Sequence, residues 1–457
     1  MESTQLRENK MGIMPVNRLL FRMATPMIIS MLLQALYNTV DSIFVSYISE
    51  QALTAVSLAF PVQTLLIATG TGTGVGINAI LSKALGEKDQ ATANRAARNG
   101  LFLAACSYIL FLIIGLTCSK AFFSVQTDDP VIAEYGRQYM TIVTTFSFGL
   151  YTQIVFERLL QSTGHTVYSM FVQGLGAILN IILDPILIFG LLGFPRLEVA
   201  GAAIATVAGQ IAAGIFAIFL NHAKNKEIDC SLKGFRPHGP TIRRIYKVGI
   251  PSIIMQAVGS VMYFGMNSIM LRFATSTYSA VFGVYFKLQS LFFMPIFGIN
   301  NGMVPIIAYN YGAGKRSRII ATIKLCILYA TALMWLGLIL FHVFPVPLLR
   351  LFDASDNMLS IGVHALRVAS ISYLFAGFCI ISGSVFQAMG NGVYSLYVSV
   401  MRQLVVLLPA AYILASSYGP ENIWWSFPIA EIMSLTVSAL LLTRIYRKVI
   451  RHIPDNV

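Results

Sequence analysis

The chain is poor in charged residues. Asp, Glu, Lys and Arg make up 11% of its 457 residues, whereas hydrophobic residues make up 56%. A soluble domain typically has about 25% charged residues, so this composition excludes that class and predicts an integral membrane protein. The apolar stretches are about 20 residues long or longer, which favours membrane-spanning helices over the shorter strands of a barrel.

Residues typical of catalysis, metal binding and disulfides are also scarce. The five cysteines show no disulfide framework and no zinc-ligand spacing, and the six histidines form no cluster. The glycines between Gly70 and Gly76 are not followed by the Gly-Lys-Ser/Thr of a nucleotide-binding loop, so close helix packing is the better interpretation. We therefore expect no enzyme activity, no cofactor and no direct use of ATP.

Acidic residues are outnumbered by basic ones. The 19 Asp and Glu residues face 32 Lys and Arg residues, and the formal net charge is +13. Of these 32 basic residues, 24, from Arg7 to Arg451, fall in loops on the predicted side of the termini. This distribution is the positive-inside bias of membrane proteins. It predicts a multi-pass protein of the bacterial plasma (inner) membrane with both termini cytoplasmic, and no nucleic-acid partner.

Twelve apolar segments are predicted to cross the membrane. They cover roughly 18–45, 53–80, 95–119, 134–158, 165–190, 198–221, 246–271, 279–306, 320–347, 361–386, 392–416 and 423–445. An even number returns the chain to the side on which it started, in agreement with the charge bias. The predicted fold is an all-α integral membrane protein with twelve transmembrane helices.

The chain repeats itself at an offset of 226 residues. Segment 160–170 aligns with segment 386–396, and Gly72 aligns with Gly298. Each half then holds six spans, so both halves enter the membrane from the same side. This predicts two six-helix lobes related by a parallel pseudo-two-fold repeat, with a central cavity between them. We divide the chain into an N-terminal lobe (1–222), a cytoplasmic linker (223–242) and a C-terminal lobe (243–457).

One acid stands inside the fifth apolar segment. A carboxylate at the depth of Asp184 costs at least about 2.5–3.5 kcal/mol on insertion scales, so a functional site is the default hypothesis. Pro185 has no N–H, which leaves the Ile181 carbonyl without its helical partner. Asn180 lies one turn earlier on the same face. A carboxylate, an amide and a freed carbonyl suit a proton or a small hard cation.

A second acid lies in the first segment. Gln34, Asn38 and Asp41 follow the spacing i, i+4 and i+7, which places a polar stripe on one helical face, and Tyr37 lies beside it. Asp41 and Asp184 both fall near the outer ends of their spans. At one depth they would titrate as a coupled pair, or bind Na⁺ together with Asn180. A structural hydrogen-bond network is the alternative.

The two halves differ in their buried charges. Asp41 aligns with Asn267 and Asp184 aligns with Ala410, so only the first half keeps the two acids. The second half instead contains three charged residues within its spans. These are Lys287, Arg402 and Glu431. Buried charges usually pair or face water, so an internal salt bridge of Glu431 with one of the two cations competes with a role in the substrate cavity.

Two further features are interpreted from local sequence. Glu157 and Arg158, at a helix end, are expected to form a local structural pair. A proline inside a helix removes a hydrogen bond and permits bending. Pro26 and Pro251 occupy nearly equivalent positions in the two halves, and Pro185 adjoins the buried acid. These three prolines are candidate hinges.

The chain resembles the multidrug and toxic compound extrusion (MATE) family over essentially its full length, and it looks closest to the bacterial MepA-like group. Pro26 and the segments 86–89, 160–164, 179–190, 201–206 and 310–314 carry this resemblance. It implies a twelve-helix, V-shaped antiporter. It also implies a first-lobe cation site at Tyr37, Asp41, Asn180, Asp184 and Thr206. Another branch of the family has acids on spans seven and ten; they are missing here, so no second-lobe cation site is expected.

The predicted function is secondary active multidrug efflux, in which cationic amphipathic compounds leave in exchange for H⁺ or Na⁺. The expected partners are these small molecules and membrane lipid, and the expected state is a monomer. The alternative is a lipid-linked oligosaccharide flippase of the same superfold, whose sign would be basic cavity residues such as Lys287 and Arg402. A channel or sensor without coupled transport is a third class.

Overall fold

The computed structural model describes residues 9–352 and 354–455, which are built of helices. Arg7, counted above among the basic residues, lies outside the described part. The first half contains α1 (Lys10–Ile13), α2 (Val16–Ser46), α3 (Glu50–Gly86), α4 (Gln90–Gln126), α5 (Pro130–Thr145), α6 (Phe148–Ser162), α7 (Thr166–Phe189) and α8 (Glu198–Lys224).

The second half of the chain is also built of consecutive helices. It contains α9 (Gly239–Phe273), α10 (Ser276–Gly312), α11 (Arg316–Val343), α12 (Pro345–Arg350), α13 (Asp356–Ala369), α14 (Tyr373–Ala388), α15 (Gly392–Val400), α16 (Leu408–Tyr418) and α17 (Ser426–Lys448). A π-helical segment, Met401–Leu407, joins α15 to α16.

Some helices, α3 and α4 among them, extend beyond the apolar segments from which they were predicted. Local capping explains the extension, because the free N–H groups of a first helical turn need acceptors. Ser49 Oγ accepts from the backbone N–H of Ala52 at 3.0 Å at the start of α3. Asp89 Oδ1 accepts from the backbone N–H of Thr92 at 3.0 Å at the start of α4. Hydropathy reports only the part of each helix that meets lipid.

Eleven helical segments of the described chain are long and apolar enough to cross a membrane. The remaining predicted span, 134–158, falls on α5 and α6, which contain 16 and 15 residues and meet at a break. At this break Ser147 Oγ donates to the Thr144 carbonyl at 2.7 Å. The corresponding span of the second half is interrupted between α13 and α14, where Ser372 Oγ donates to the Ala369 carbonyl at 2.7 Å. The predicted all-α fold is confirmed, and the segment predicted as the fourth span is divided into two helices, α5 and α6.

The two halves meet through close contacts between equivalent helices. Helix α3 packs against α9, and its counterpart α10 packs against α2. A Cβ atom at Gly72 would lie 2.9 Å from the Ile253 backbone nitrogen, and one at Gly298 would lie 2.6 Å from the Ile28 backbone nitrogen. Glycine is needed at both positions because a side chain would collide with the facing backbone.

A second pair of equivalent glycines lies at the ends of α3 and α10. A Cβ atom at Gly86 would overlap the Tyr309 carbonyl oxygen, and one at Gly312 would overlap the Lys83 carbonyl oxygen. Both pairs of contacts lie toward the side of the bundle where α2 begins and α17 ends, which we call the terminal side. The halves are therefore in contact on the terminal side and form a V that widens toward the opposite side.

The short helix α1 reinforces the closure of the terminal side. Asn9 Nδ2 donates to the Thr163 carbonyl of the first half at 3.0 Å. Lys315 Nζ of the second half donates to the Gly12 carbonyl at 3.0 Å. Because its two ends are bonded to different halves, α1 bridges them on the terminal side.

We predict that Gly312→Ala lowers the melting temperature of the detergent-purified protein, because its Cβ meets the Lys83 carbonyl. Overpacking of this kind costs about 1–3 kcal/mol. Gly383→Ala is the matched control, since no atom outside its own helix lies within 4 Å of that Cβ. Alanine generally favours a helix over glycine, so the control should melt at or above the parent temperature. Equal melting temperatures for the two variants would contradict the packing argument.

Candidate functional site

A cavity of about 340 Å³ lies mainly among the helices of the first half. This volume falls within the range of about 300–1,000 Å³ that is usual for small-molecule sites. Almost all of its lining comes from the first half; among the described residues, the second half contributes Gln256 and Asn301. The wall combines apolar residues such as Met31 and Phe60 with many side-chain amides. The cavity is therefore a property of the first half that the second half closes.

The buried acid of the fifth span lies just behind the cavity wall. Asp184 is fully buried within α7, and Asn180 and Thr206 are almost fully buried. Asn180 Nδ2 lies 3.4 Å from Asp184 Oδ1 and 3.3 Å from Thr206 Oγ1 of α8. Asn180 and Thr206 themselves line the cavity. The structure thus brings together three of the residues that the family resemblance predicted, and Asn180 joins the other two.

The polar stripe of the first span faces the same cavity. Gln34, Tyr37, Asn38 and Asp41 of α2 all line it. Asp41 is partly buried and lies within electrostatic range of Asp184. The helical spacing read from the sequence is therefore the spacing that turns these side chains toward α7.

One oxygen of each of the two acids, and the amide oxygen of Asn180, has no donor within the described chain. Among the described residues, Asp41 Oδ1, Asp184 Oδ2 and Asn180 Oδ1 are buried without a hydrogen-bond partner, and so is Gln210 Oε1 nearby on the cavity wall. Buried acceptors without donors are costly. A proton or a hard cation would satisfy them, because both seek oxygen ligands. Within the described chain no three His, Cys, Asp or Glu side chains converge as a metal site, so this set is two carboxyls with amides.

Many polar residues of the cavity wall were not predicted from the sequence, and Tyr139 and Gln63 are two that lie near the acids. Tyr139 is almost fully buried on α5, and Gln63 Nε2 of α3 lies 3.3 Å from its hydroxyl oxygen. Tyr139 lies within electrostatic range of both Asp41 and Asp184. The available signal was weak: a glutamine or tyrosine inside an apolar segment is uncharged and does not stand out as an acid does.

The candidate hinge prolines lie within continuous helices. Helix α2 continues through Pro26, α7 through Pro185 and α9 through Pro251. Ser30 Oγ donates to the Pro26 carbonyl at 3.0 Å. Each proline still leaves one carbonyl without an N–H partner, so these positions are the weak points of their helices. Their role as hinges stays a prediction.

The charged residues of the second half lie away from the cavity lining. Arg402 Nη1 pairs with Glu431 Oε2 at 3.0 Å, and the side chains are 30% and 4% exposed. Lys287 is exposed on α10, with its Nζ 6.0 Å from the centre of the Phe352 ring. The structure therefore assigns Glu431 to Arg402 rather than to Lys287. None of the three charges reaches the described cavity wall.

The expected local pair of Glu157 and Arg158 does not form. Within the described chain, no ion pair within 4.0 Å joins these two residues. Arg158 Nη1 instead donates to Gln161 Oε1 and to Asn301 Oδ1 of the second half, both at 2.9 Å. Glu157 and Arg158 both line the cavity. The local interpretation was wrong because neighbours in sequence point in directions about 100° apart on a helix.

Known proteins share this architecture. The profile of the MatE family matches residues 26–186 and 251–413, one match in each half. The multidrug export protein MepA of Staphylococcus haemolyticus (strain JCSC1435) is 27% identical over 421 residues, which cover 91% of this chain and 90% of the relative. MepA of Staphylococcus aureus (strain MRSA252) is 25% identical over 432 residues, which cover 93% of each chain.

Solved structures agree with the fold. A crystal structure of MATE in complex with MaL6 has a TM-score of 0.90 at 25% identity and covers 97% of this chain and 100% of its own. An outward-facing conformation of a multidrug resistance MATE family transporter of the MOP superfamily has a TM-score of 0.89 at 25% identity. It covers 97% of this chain and 99% of its own.

We predict that Glu431→Gln lowers the melting temperature, because it leaves the Arg402 charge partly buried and unpaired. Breaking a buried pair costs about 3–5 kcal/mol, and the partial exposure of Arg402 places the cost here toward or below the lower figure. Adding Arg402→Met should recover part of the loss. Adding Lys287→Met should recover none and serves as the control. Equal recovery by both second changes would contradict the assigned pairing.

Proposed function

Because this chain belongs to the MatE family, we propose that it is a secondary active multidrug efflux antiporter that exports cationic amphipathic compounds in exchange for H⁺ or Na⁺. The observation that supports this most directly is the set of unpartnered oxygens on Asp41, Asp184 and Asn180 at the wall of a ligand-sized cavity. The named activity of its relatives, multidrug export, is the transport that such a cavity would serve.

In this proposal the coupling ion binds where the acids meet. Two nearby carboxyls can share one proton, or the carboxyl and amide oxygens can hold one Na⁺. Asn180 is the central residue, since its amide nitrogen approaches both Asp184 Oδ1 and Thr206 Oγ1. Binding removes negative charge from the cavity wall and so weakens the hold on a cationic substrate. This competition would couple the inward ion flow to outward drug flow.

The orientation follows from the charge bias. We propose that the terminal side faces the cytoplasm of a bacterial plasma membrane, in which the chain acts as a lipid-embedded monomer. The halves are in contact on that side, so the described conformation would expose its cavity to the outside. Gln256 Nε2 donates to Thr71 Oγ1 at 2.7 Å across the halves near the floor of the cavity. Opening toward the cytoplasm would have to break this contact.

The flippase alternative loses its main support. It depended on basic residues in the cavity, and Lys287 and Arg402 are absent from the described lining, where Arg158 is the one basic residue. The described cavity wall contains two acids and one hydrogen-bonded arginine. This charge suits the export of cations better than the transport of anionic lipid-linked sugars.

We predict that Asp184→Asn abolishes gradient-driven export while the protein still folds and inserts. The two side chains are nearly isosteric, so the change removes a charge without creating a cavity. Purified protein in liposomes, with an imposed pH or Na⁺ gradient and a fluorescent cation, measures the loss. Asp128→Asn, at an exposed position between α4 and α5, is the matched control. Full transport by a well-expressed Asp184→Asn protein would contradict the proposed ion site.

We predict that Asp41 and Asp184 act as one unit. Asp41→Asn alone should also uncouple export, and the double variant should be no worse than either single variant, since residues of one site behave non-additively. The same liposome assay compares the three proteins. Losses that multiply independently in the double variant would argue for two separate sites.

A further inference from the structure

Glu157 is a cavity carboxyl that the proposed ion site does not use. It lies five residues before the end of α6 on the terminal side, whereas Asp41 lies five residues before the end of α2 on the opposite side. Both residues line the same cavity. The cavity therefore has acidic groups near both of its ends.

One amide orients the Glu157 carboxyl. Gln153, one helical turn earlier, donates through Nε2 to Glu157 Oε1 at 2.8 Å. The same nitrogen lies 3.1 Å from Gln173 Oε1 of α7. Ser169 Oγ bonds to the Glu157 backbone carbonyl at 3.2 Å, which ties α7 to this turn of α6. The carboxyl is thus oriented by one neutral donor, Gln153, which does not compensate its charge.

Among the described residues no salt bridge neutralises Glu157, and Arg158 acts on it only at longer range. Within the described residues, no Lys, Arg or His nitrogen lies within 4.0 Å of its carboxyl. The adjacent guanidinium of Arg158 is engaged with Gln161 and Asn301 at the floor of the cavity. A carboxylate away from bulk water is normally paired. Glu157 forms no such pair within the described chain, and it faces the cavity, from which a cationic partner could reach it.

The surroundings indicate which cation would fit. Asn301 Nδ2 lies 4.0 Å from the sulfur of Met31, so a methionine adjoins the floor. Ile154 of α6, the helix that contains Glu157, also lines the cavity. Methionine adapts its shape to varied apolar ligands. A fixed negative charge beside an adaptable apolar wall suits an organic cation with a flat apolar body better than a hydrated metal ion.

We infer that Glu157 binds the positive charge of the transported amphipathic cation at the cavity floor, apart from the coupling-ion site at Asp41, Asp184 and Asn180. This inference rests on the proposed function. Tyr37 also lines the cavity and lies within electrostatic range of both Asp41 and Glu157, so the ion site and the substrate site share this neighbour. In this arrangement each bound cation makes the cavity less negative and so weakens the binding of the other. The substrate and the coupling ion need not compete for the same carboxyl.

The test is equilibrium binding to the purified full-length protein without any gradient. Ethidium, a permanent cation, is compared with uncharged phenanthridine, which has the same ring system. Glu157→Gln should weaken ethidium binding at least about tenfold, the effect of losing one charge-assisted contact, and leave phenanthridine unchanged. Glu421→Gln, an exposed acid near the opposite side, is the matched control and should leave both affinities unchanged.

A relocated charge provides the second variant. Gln173→Glu places a carboxyl on the other side of Gln153, so it should restore ethidium binding to Glu157→Gln and, by itself, tighten ethidium binding to the parent protein. If Glu157→Gln fails to fold, Gln173→Glu in the otherwise unchanged protein still tests the inference. Unchanged ethidium affinity in both variants, or equal losses for ethidium and phenanthridine, would overturn the inference.

The two proposals fail in different ways. Binding needs no gradient, so selective loss of ethidium in Glu157→Gln supports the substrate site even if Asp184→Asn transports normally. Normal ethidium binding by Glu157→Gln, with gradient-driven export lost, would instead place Glu157 in the ion pathway and overturn its assignment to substrate.

Discussion

The close approach of the two halves on the terminal side is the contact on which the cavity depends. Equivalent glycines of α3 and α10 bring these helices against α9 and α2 at backbone distance. The helices can separate toward the opposite side because they are held at one end. In a membrane, apolar side chains gain little by leaving lipid for each other, so small residues and backbone contact have to provide the association. The V-shaped cavity follows from this arrangement.

The second constraint is that polar groups inside the bilayer must find partners in the protein. In the second half the buried Glu431 pairs with Arg402, away from the cavity. In the first half one oxygen each of Asp41, Asp184 and Asn180 lacks a donor within the described chain. The buried acids of the two halves therefore differ: Glu431 has a cation as its partner, whereas Asp41 and Asp184 have none among the described residues.

Much of the candidate site was readable from helical spacing. Asn180 and Asp184 stand four residues apart, and Gln34, Asn38 and Asp41 follow one face of α2, so their common orientation needed no tertiary information. The meeting of α2 with α7 was less accessible. The prediction that these helices meet depended on the estimated depth of the two acids in the membrane. Thr206 was predicted as a site residue only from the family resemblance. Tyr139 and Gln63 escaped notice because single polar uncharged residues are common in membrane helices.

The sequence by itself determined the membrane class, the order of the spans, the repeat and the presence of two acids in the first half alone. These properties depend on composition and on periodicity along one helix. Only the tertiary structure decided that Glu431 pairs with Arg402, that Glu157 and Arg158 face the cavity separately, and that Asn301 closes its floor. Arg402 and Glu431, like Arg158 and Asn301, are far apart along the chain. Their meeting depends on the rotation and crossing of packed helices, and a shift of one residue turns a side chain by about 100°.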